Sequence, residues 1–178
     1  MSIAVLVAPT VLQCSPTFER GLQGTGYQEA FFHELPEKEE LMKVLVATDG
    51  SEHSMKAVNR ALELAMKEGA EGTLMSVAYY AREDLDEMPA NIQEKLESHA
   101  AEALKKAKAV FDEKSVQVET LLEAGFVPAN NIIRRAEEGQ FERILLGSTG
   151  ISGLKRVFIG STAAKVVANA PCSVTVVR

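Results

Sequence analysis

The sequence predicts an α/β protein, a doubly wound five-stranded parallel sheet with helices on both faces. Three observations predict it. Short apolar runs such as 44–47 and 73–78 recur along residues 42–178, the pattern of strands covered on both sides. Stretches with apolar residues at helical spacing lie between the runs. Gly, Pro and Ser mark most of the changeovers. Alternation of this kind implies parallel strands joined by crossover helices.

Val44 to Ala47 is the first strand. Thr48-Asp49-Gly50-Ser51 turns the chain, and Ser51 is a natural N-cap for a helix over residues 52–67. Met55, Val58, Leu62, Ala65 and Met66 recur at helical spacing there, and Gly69 ends the helix. Thr73 to Ala78 is the second strand, completing a βαβ unit. Tyr79 to Pro89 reads as a loop whose charges face solvent. Residues 90–113 form a long helix with the stripe Ile92, Leu96, Ala100, Ala103, Leu104, Ala107 and Val110-Phe111. Val116, Val118, Thr120 and Leu122 alternate as a third strand, nearer an edge. Gly125 turns the chain, Pro128 opens a helix over 129–138, and Gly139 closes it. Arg143 to Leu146 is the fourth strand, Ser161 to Asn169 the last helix, and Ser173 to Val177 the fifth strand after Pro171.

Residues 1–41 stand apart as an extension. They hold six acids and two bases, so −4 of the formal −6 charge lies there. The expectation is a loosely packed segment that does not build the site, arising as an added tail or from an upstream start. Met1-Ser-Ile has no basic region of the kind an export signal carries. The remaining −2 leaves no basic field, which argues against nucleic-acid binding. Mean hydropathy is near zero and no apolar run reaches the roughly 20 residues of a spanning helix, so no membrane span is expected. Cys14 and Cys172 lack metal-ligand spacing, and a reduced cytoplasm is the default location. Cys172 reads as a small core residue, and His53 and His99 as solvated helix positions.

The most informative stretch is 146–166, where four glycines and Ser161-Thr162 separate an apolar strand from a helix. Glycine permits close approach to the main chain, and a helix opening at Gly160-Ser161-Thr162 has unpartnered N–H groups that suit an anion. Neither a Walker loop nor a G-x-G-x-x-G fingerprint is present. Spacing alone leaves two readings open: a phosphate cradle, or a glycine-rich connection with a Ser-capped structural helix. In open α/β sheets ligands sit beyond the strand C-termini where the winding reverses. The first and fourth strands, followed by Thr48-Asp49-Gly50 and Gly147 to Gly150, are the pair expected to flank that point.

Gly147, Gly150, Gly160 and Ser161 are spaced Gly, two residues, Gly, nine residues, Gly, Ser. This resembles the ATP-binding signature of the universal stress protein family. The stretches 44–51 and 170–178 resemble the family's first strand and turn and its last strand, so the resemblance covers residues 42–178. It implies a Rossmann-like, adenine-nucleotide-binding fold. It also implies roles: Gly147 and Gly150 beside ribose and phosphate, Gly160, Ser161 and Thr162 toward the β- and γ-phosphates, and Leu146 packed on the nucleotide. Asp49 would lie near ribose or adenine, although an aspartate in a turn also stabilises the turn itself. Ala47 and Val77 would line the adenine slot, although both serve equally well as core residues, and Ala47 departs from the proline or valine often found there.

Mg²⁺ would enter on the phosphates, which commonly hold it with few protein ligands. Lys155 and Arg156 lie on the loop over the phosphates and are read as solvent-facing. The sequence has no Ser/His/Asp arrangement, no evident base for a γ-phosphate and no arginine finger. The expectation is therefore a nucleotide-binding regulator with little or no turnover. Its alternatives are a partner-binding dimer without nucleotide, a slow ATPase, or an ATP-dependent ligase, whose Ser-Gly-Gly-x-Asp-Ser loop is replaced here by Thr48-Asp-Gly-Ser51. The apolar strand Ser173 to Val177 is expected to pair with its copy in a homodimer, as is common in the family.

Overall fold

A computed structural model describes residues 41–80, 90–150 and 159–178. Nine elements follow in order: β1 (Lys43–Ala47), α1 (Glu52–Glu68), β2 (Glu71–Tyr79), α2 (Ala90–Asp112), β3 (Glu119–Gly125), α3 (Pro128–Glu138), β4 (Arg143–Gly147), α4 (Ser161–Asn169) and β5 (Ser173–Val177). The strands form one sheet in the order β3-β2-β1-β4-β5, and every pairing is parallel. This is the doubly wound fold expected from the alternation.

Two apolar layers hold the helices to the sheet. Successive strand residues point to opposite faces. Val44 and Val46 therefore join Leu74, Leu145 and the inner sides of α1 and α2, with Phe111 fully buried among them. Leu45 joins Met75, Ile144 and Leu146 on the other face, under Ile132 of α3 and Val166 of α4. Each fully buried Val, Leu or Ile side chain contributes about 1.5–3 kcal/mol relative to exposure. The central strands β1 and β4 are apolar on both faces for this reason.

Four expectations need correction. The third strand begins at Glu119, not Val116. Helix α2 ends in a turn in which the Val116 N–H returns to the Phe111 carbonyl, and Val116 and Val118 pack on the first core layer before pairing with β2 starts at Thr73↔Glu119. Leu121, not Leu122, packs on the second layer, and Leu122 is exposed. Tyr79 ends β2 and Tyr80 is buried, so the loop begins later than expected. The Tyr80 hydroxyl donates to Glu97 Oε1 at 2.6 Å, which raises the Tyr80 pKa and lowers that of Glu97. Met66 is exposed because it falls off the arc of Ser54, Ala57, Val58, Ala61 and Leu62, and Leu64 is buried instead. Gly139 does close α3, but in a right-handed conformation (φ −84°), and the left-handed residue is Gln140.

The extension up to residue 40, the charged loop 81–89 and the loop carrying Lys155 and Arg156 lie outside the described residues. Strand β3 is an edge, as expected. Glu123 on it accepts hydrogen bonds from Asn131, Arg134 and Arg135 of α3. Burial acts to raise the Glu123 pKa, but the Asn131 and Arg135 hydrogen bonds and the two guanidinium charges outweigh it, and the carboxyl is held below its usual range. A depressed folded pKa stabilises the fold above the unfolded value, about 4.3, and that stability is lost as pH falls through the folded value. Glu123→Gln should therefore lower the melting temperature by about 2–5 °C at neutral pH and converge on the parent near pH 3. Thermal melts across this range check it; equal melting temperatures at neutral pH would contradict it.

Candidate functional site

The site forms where β1 and β4 lie side by side and their exits diverge. They pair from Val44↔Arg143 to Ala47↔Leu146. Just past β1, the Thr48 N–H donates to the Met75 carbonyl of β2 at 2.9 Å. Just past β4, the Ser148 N–H donates to the Val177 carbonyl of β5 at 2.8 Å. One turn leans toward β2 and the other toward β5, so a cleft opens between them at the C-terminal edge, the place where ligands sit in open α/β sheets.

The β1 turn is locked by its own polar groups. Gly50 takes φ +77°, which glycine accepts without Cβ strain. The Asp49 Oδ1 accepts the Ser51 N–H at 3.0 Å. A buried relay runs from the Gly50 N–H to Thr48 Oγ1, from Thr48 to Ser54 Oγ, and from Ser54 Oγ to the Ser51 carbonyl. Ser51 then caps α1 by accepting the Ser54 N–H at 3.3 Å. The start of α1 thus carries a side-chain cap from Ser51.

The second turn uses its glycines differently. A Cβ on Gly147 would lie 2.6 Å from the His53 carbonyl carbon and the Ser54 nitrogen, so this glycine lets β4 abut the first turn of α1. A Cβ on Gly150 would lie 2.7 Å from Asp49 Oδ2, so this glycine brings the two turns together. Gly160 folds back on the same turn, its N–H donating to the Ser148 carbonyl at 2.7 Å. Gly160 is the N-cap of α4 and provides no side-chain cap. Among the described residues no side chain caps that helix, and N–H groups of a helix's first turn lack intrahelical partners.

All nine residues singled out in the sequence line one cavity of about 710 Å³: Ala47, Asp49, Val77, Leu146, Gly147, Gly150, Gly160, Ser161 and Thr162. Met75, Val77, Ile132 and Leu146 give it an apolar side, and Ser148, Thr149, Ser161, Thr162 and Lys165 a polar one. Sequence reasoning missed the Phe126-Val127-Pro128 wall, Lys165 and Thr149. Lys165 lies four residues past Ser161, one helical turn along α4, which is the signal that points it at the same cleft. His99 is exposed as expected, though it borders the cavity. His53 is not a solvated surface residue: it is half-buried, and its Nδ1 lies 3.0 Å from Thr149 Oγ1.

Cys172 is partly buried against the second core layer, and burial raises its thiol pKa. Among the described residues no group of three or more His, Cys, Asp or Glu is placed to hold a metal ion, and no helix is long and apolar enough to cross a membrane.

The pattern of the universal stress protein family matches residues 40–178. Universal stress protein MJ0531 of Methanocaldococcus jannaschii is 36% identical over 141 residues, covering 76% of this chain and 81% of that protein. Universal stress protein YxiE of Bacillus subtilis is 35% identical over 150 residues, covering 76% and 98%. Among solved structures, universal stress protein UspA from Lactobacillus plantarum superposes with a TM-score of 0.68 at 27% identity, covering 77% of this chain and 97% of that one.

The two glycines of the β4 turn should separate by stability. Gly147→Ala forces a carbon against main chain that cannot yield, and about 1–3 kcal/mol of destabilisation is expected. Gly150→Ala meets only the end of the Asp49 side chain, which can swing aside, so less than about 1 kcal/mol is expected. Denaturant unfolding of both variants checks the order, and an equal or reversed ranking would refute it.

Proposed function

The chain belongs to the universal stress protein family, and from that membership we propose that it is an ATP-binding stress-response protein. It acts as a switch or regulator with little or no turnover. The observation that carries the reading is Gly160. Its backbone (φ −59°, ψ 154°) nearly matches that of Ser51 (φ −66°, ψ 162°), the residue that caps α1. A Cβ there would meet Ser148 O at 3.4 Å and Thr149 Cα at 3.6 Å, ordinary contacts. Among the described residues, nothing in the fold requires glycine at 160, and Ser would cap the helix better. Glycine keeps the α4 N–H groups available to a phosphate chain, in a cleft whose other side is apolar enough for a base.

In this reading Gly160, Ser161 and Thr162 receive the β- and γ-phosphates. Gly147 and Gly150 border the ribose and α-phosphate, and Asp49 faces the ribose. Ala47, Val77 and Leu146 enclose the adenine. Mg²⁺ would be carried by the phosphate oxygens. Main-chain donors and hydroxyls position a phosphate, whereas transfer also needs an oriented nucleophile, which is why binding rather than chemistry is assigned.

The same reading includes a homodimer through β5. Among the described residues both sheet edges, β3 and β5, are paired on one side only. The β3 edge carries Glu119 and Glu123, charges of the kind that discourage pairing, while Ser173–Val177 carries none.

Titration calorimetry of the full chain with ATP and Mg²⁺ should show binding in the micromolar to millimolar range. Gly160→Ser should weaken it about tenfold while leaving the melting temperature unchanged or raised, because the new cap takes a donor that the ligand needs. ATP that fails to bind at millimolar concentration defeats the nucleotide reading. Sedimentation at micromolar concentration should show a dimer; a monomer would remove the β5 interface.

A further inference from the structure

Thr149 stands between the cleft and His53. It lines the cavity, and its Oγ1 lies 3.0 Å from His53 Nδ1. His53 is held there because the Cβ-free face of Gly147 rests on the main chain of His53 and Ser54. A hydroxyl has one hydrogen to give. In the neutral ring with its hydrogen on Nε2, Nδ1 carries no proton, the Thr149 hydrogen points at the ring, and the cleft meets oxygen lone pairs. When Nδ1 carries a proton, the ring donates, and the Thr149 hydrogen is released to point into the cleft. The two states offer opposite polarity to an anion.

We propose that His53 is a positioning residue for the phosphate side of the cleft: a proton on Nδ1 turns Thr149 from acceptor to donor, and a phosphate-bearing ligand binds that state more tightly. The inference rests on the nucleotide reading above. The proton comes from solvent, and no bond to the ligand is made or broken. By linkage, whatever factor protonation adds to ligand affinity, the ligand adds to proton affinity. Imidazole is the side chain whose charge ordinarily changes between about pH 5 and 8.

The other charged groups near His53 come from four places among the described residues. Glu52 and Lys56 on α1 pair with each other at 3.1 Å. Asp49 lies in the β1 turn, with Oδ1 on the Ser51 N–H. Lys106 of α2 reaches the Gly50 carbonyl at 3.4 Å. Arg178 and the C-terminal carboxylate follow Val177, whose carbonyl accepts the Ser148 N–H. Lys43 of β1, Glu71 of β2 and Arg143 of β4 sit at the opposite ends of their strands. Both signs are present in similar number, so the two states differ in the imidazolium's own charge, which Thr149→Val retains, and in the direction of the Thr149 hydroxyl.

The test is ATP binding, with Mg²⁺, from about pH 5.5 to 8 in the parent, Thr149→Val, Thr149→Ser and His53→Asn full-length proteins. Titration of ATP itself is common to all four, so the difference between profiles isolates the pair. The parent should gain about threefold to tenfold in affinity on acidification beyond any gain in Thr149→Val, the size of one net hydrogen bond. Thr149→Ser should follow the parent, and His53→Asn should be no steeper than Thr149→Val, because it loses the imidazolium charge as well as the relay to Thr149. The His53 imidazole NMR signal of the parent should titrate at higher pH with ATP bound than without it. Parallel profiles in parent and Thr149→Val, a Ser variant that behaves as Val does, or a His53 titration unmoved by ATP would each overturn the inference while the nucleotide reading stands. No ATP binding at any pH would overturn both.

Discussion

The site depends on β1 and β4 being neighbours in the sheet while their chains leave it in opposite directions. Thr48 bonds outward to β2 and Ser148 outward to β5. A cleft opens because neither turn can cover the gap between them. Its floor is the apolar end of the two strands, and its walls are the starts of the following helices. Parallel pairing is what puts both turns at the same edge.

The two helix starts beside that gap are treated in opposite ways. Helix α1 is closed by Ser51, by the Asp49 carboxylate and by the relay through Thr48 and Ser54. Helix α4 opens on a glycine with no side-chain cap. The N-cap of α3, Val127, also lacks a side-chain cap, but its next residue is Pro128, which has no N–H to offer. A side-chain cap is thus present at α1 and absent at α4.

Much of this was legible because the signals were local. Ser161 to Asn169 and Ser173 to Val177 were found with their observed ends, since a glycine and a proline mark where each begins. The cleft residues were legible through the resemblance of the Gly147–Ser161 spacing to a family signature, whereas spacing alone left a structural connection equally open. What escaped was set by contacts distant in sequence. The start of β3 is fixed by where β2 offers a partner, not by the alternation beginning at Val116. His53 read as a surface helix residue because its partner, Thr149, is 96 positions away. The individual jobs of Gly147 and Gly150 were also hidden, since the atoms that exclude a Cβ come from α1 and the β1 turn.

That last point separates two reasons for a glycine that a motif merges into one. Gly147 is required by the protein's own packing, because a Cβ there would run into the main chain of α1, whereas at Gly150 a Cβ would meet only the end of the Asp49 side chain. Gly160 has ordinary backbone angles and room for a Cβ, and a capping residue there would serve the helix better. Glycine at this position gives up only a few tenths of a kcal/mol of capping and leaves the helix without a side-chain cap. The spacing of the signature therefore combines a glycine fixed by main-chain contact, one that faces a side-chain end, and one that packing among the described residues does not require.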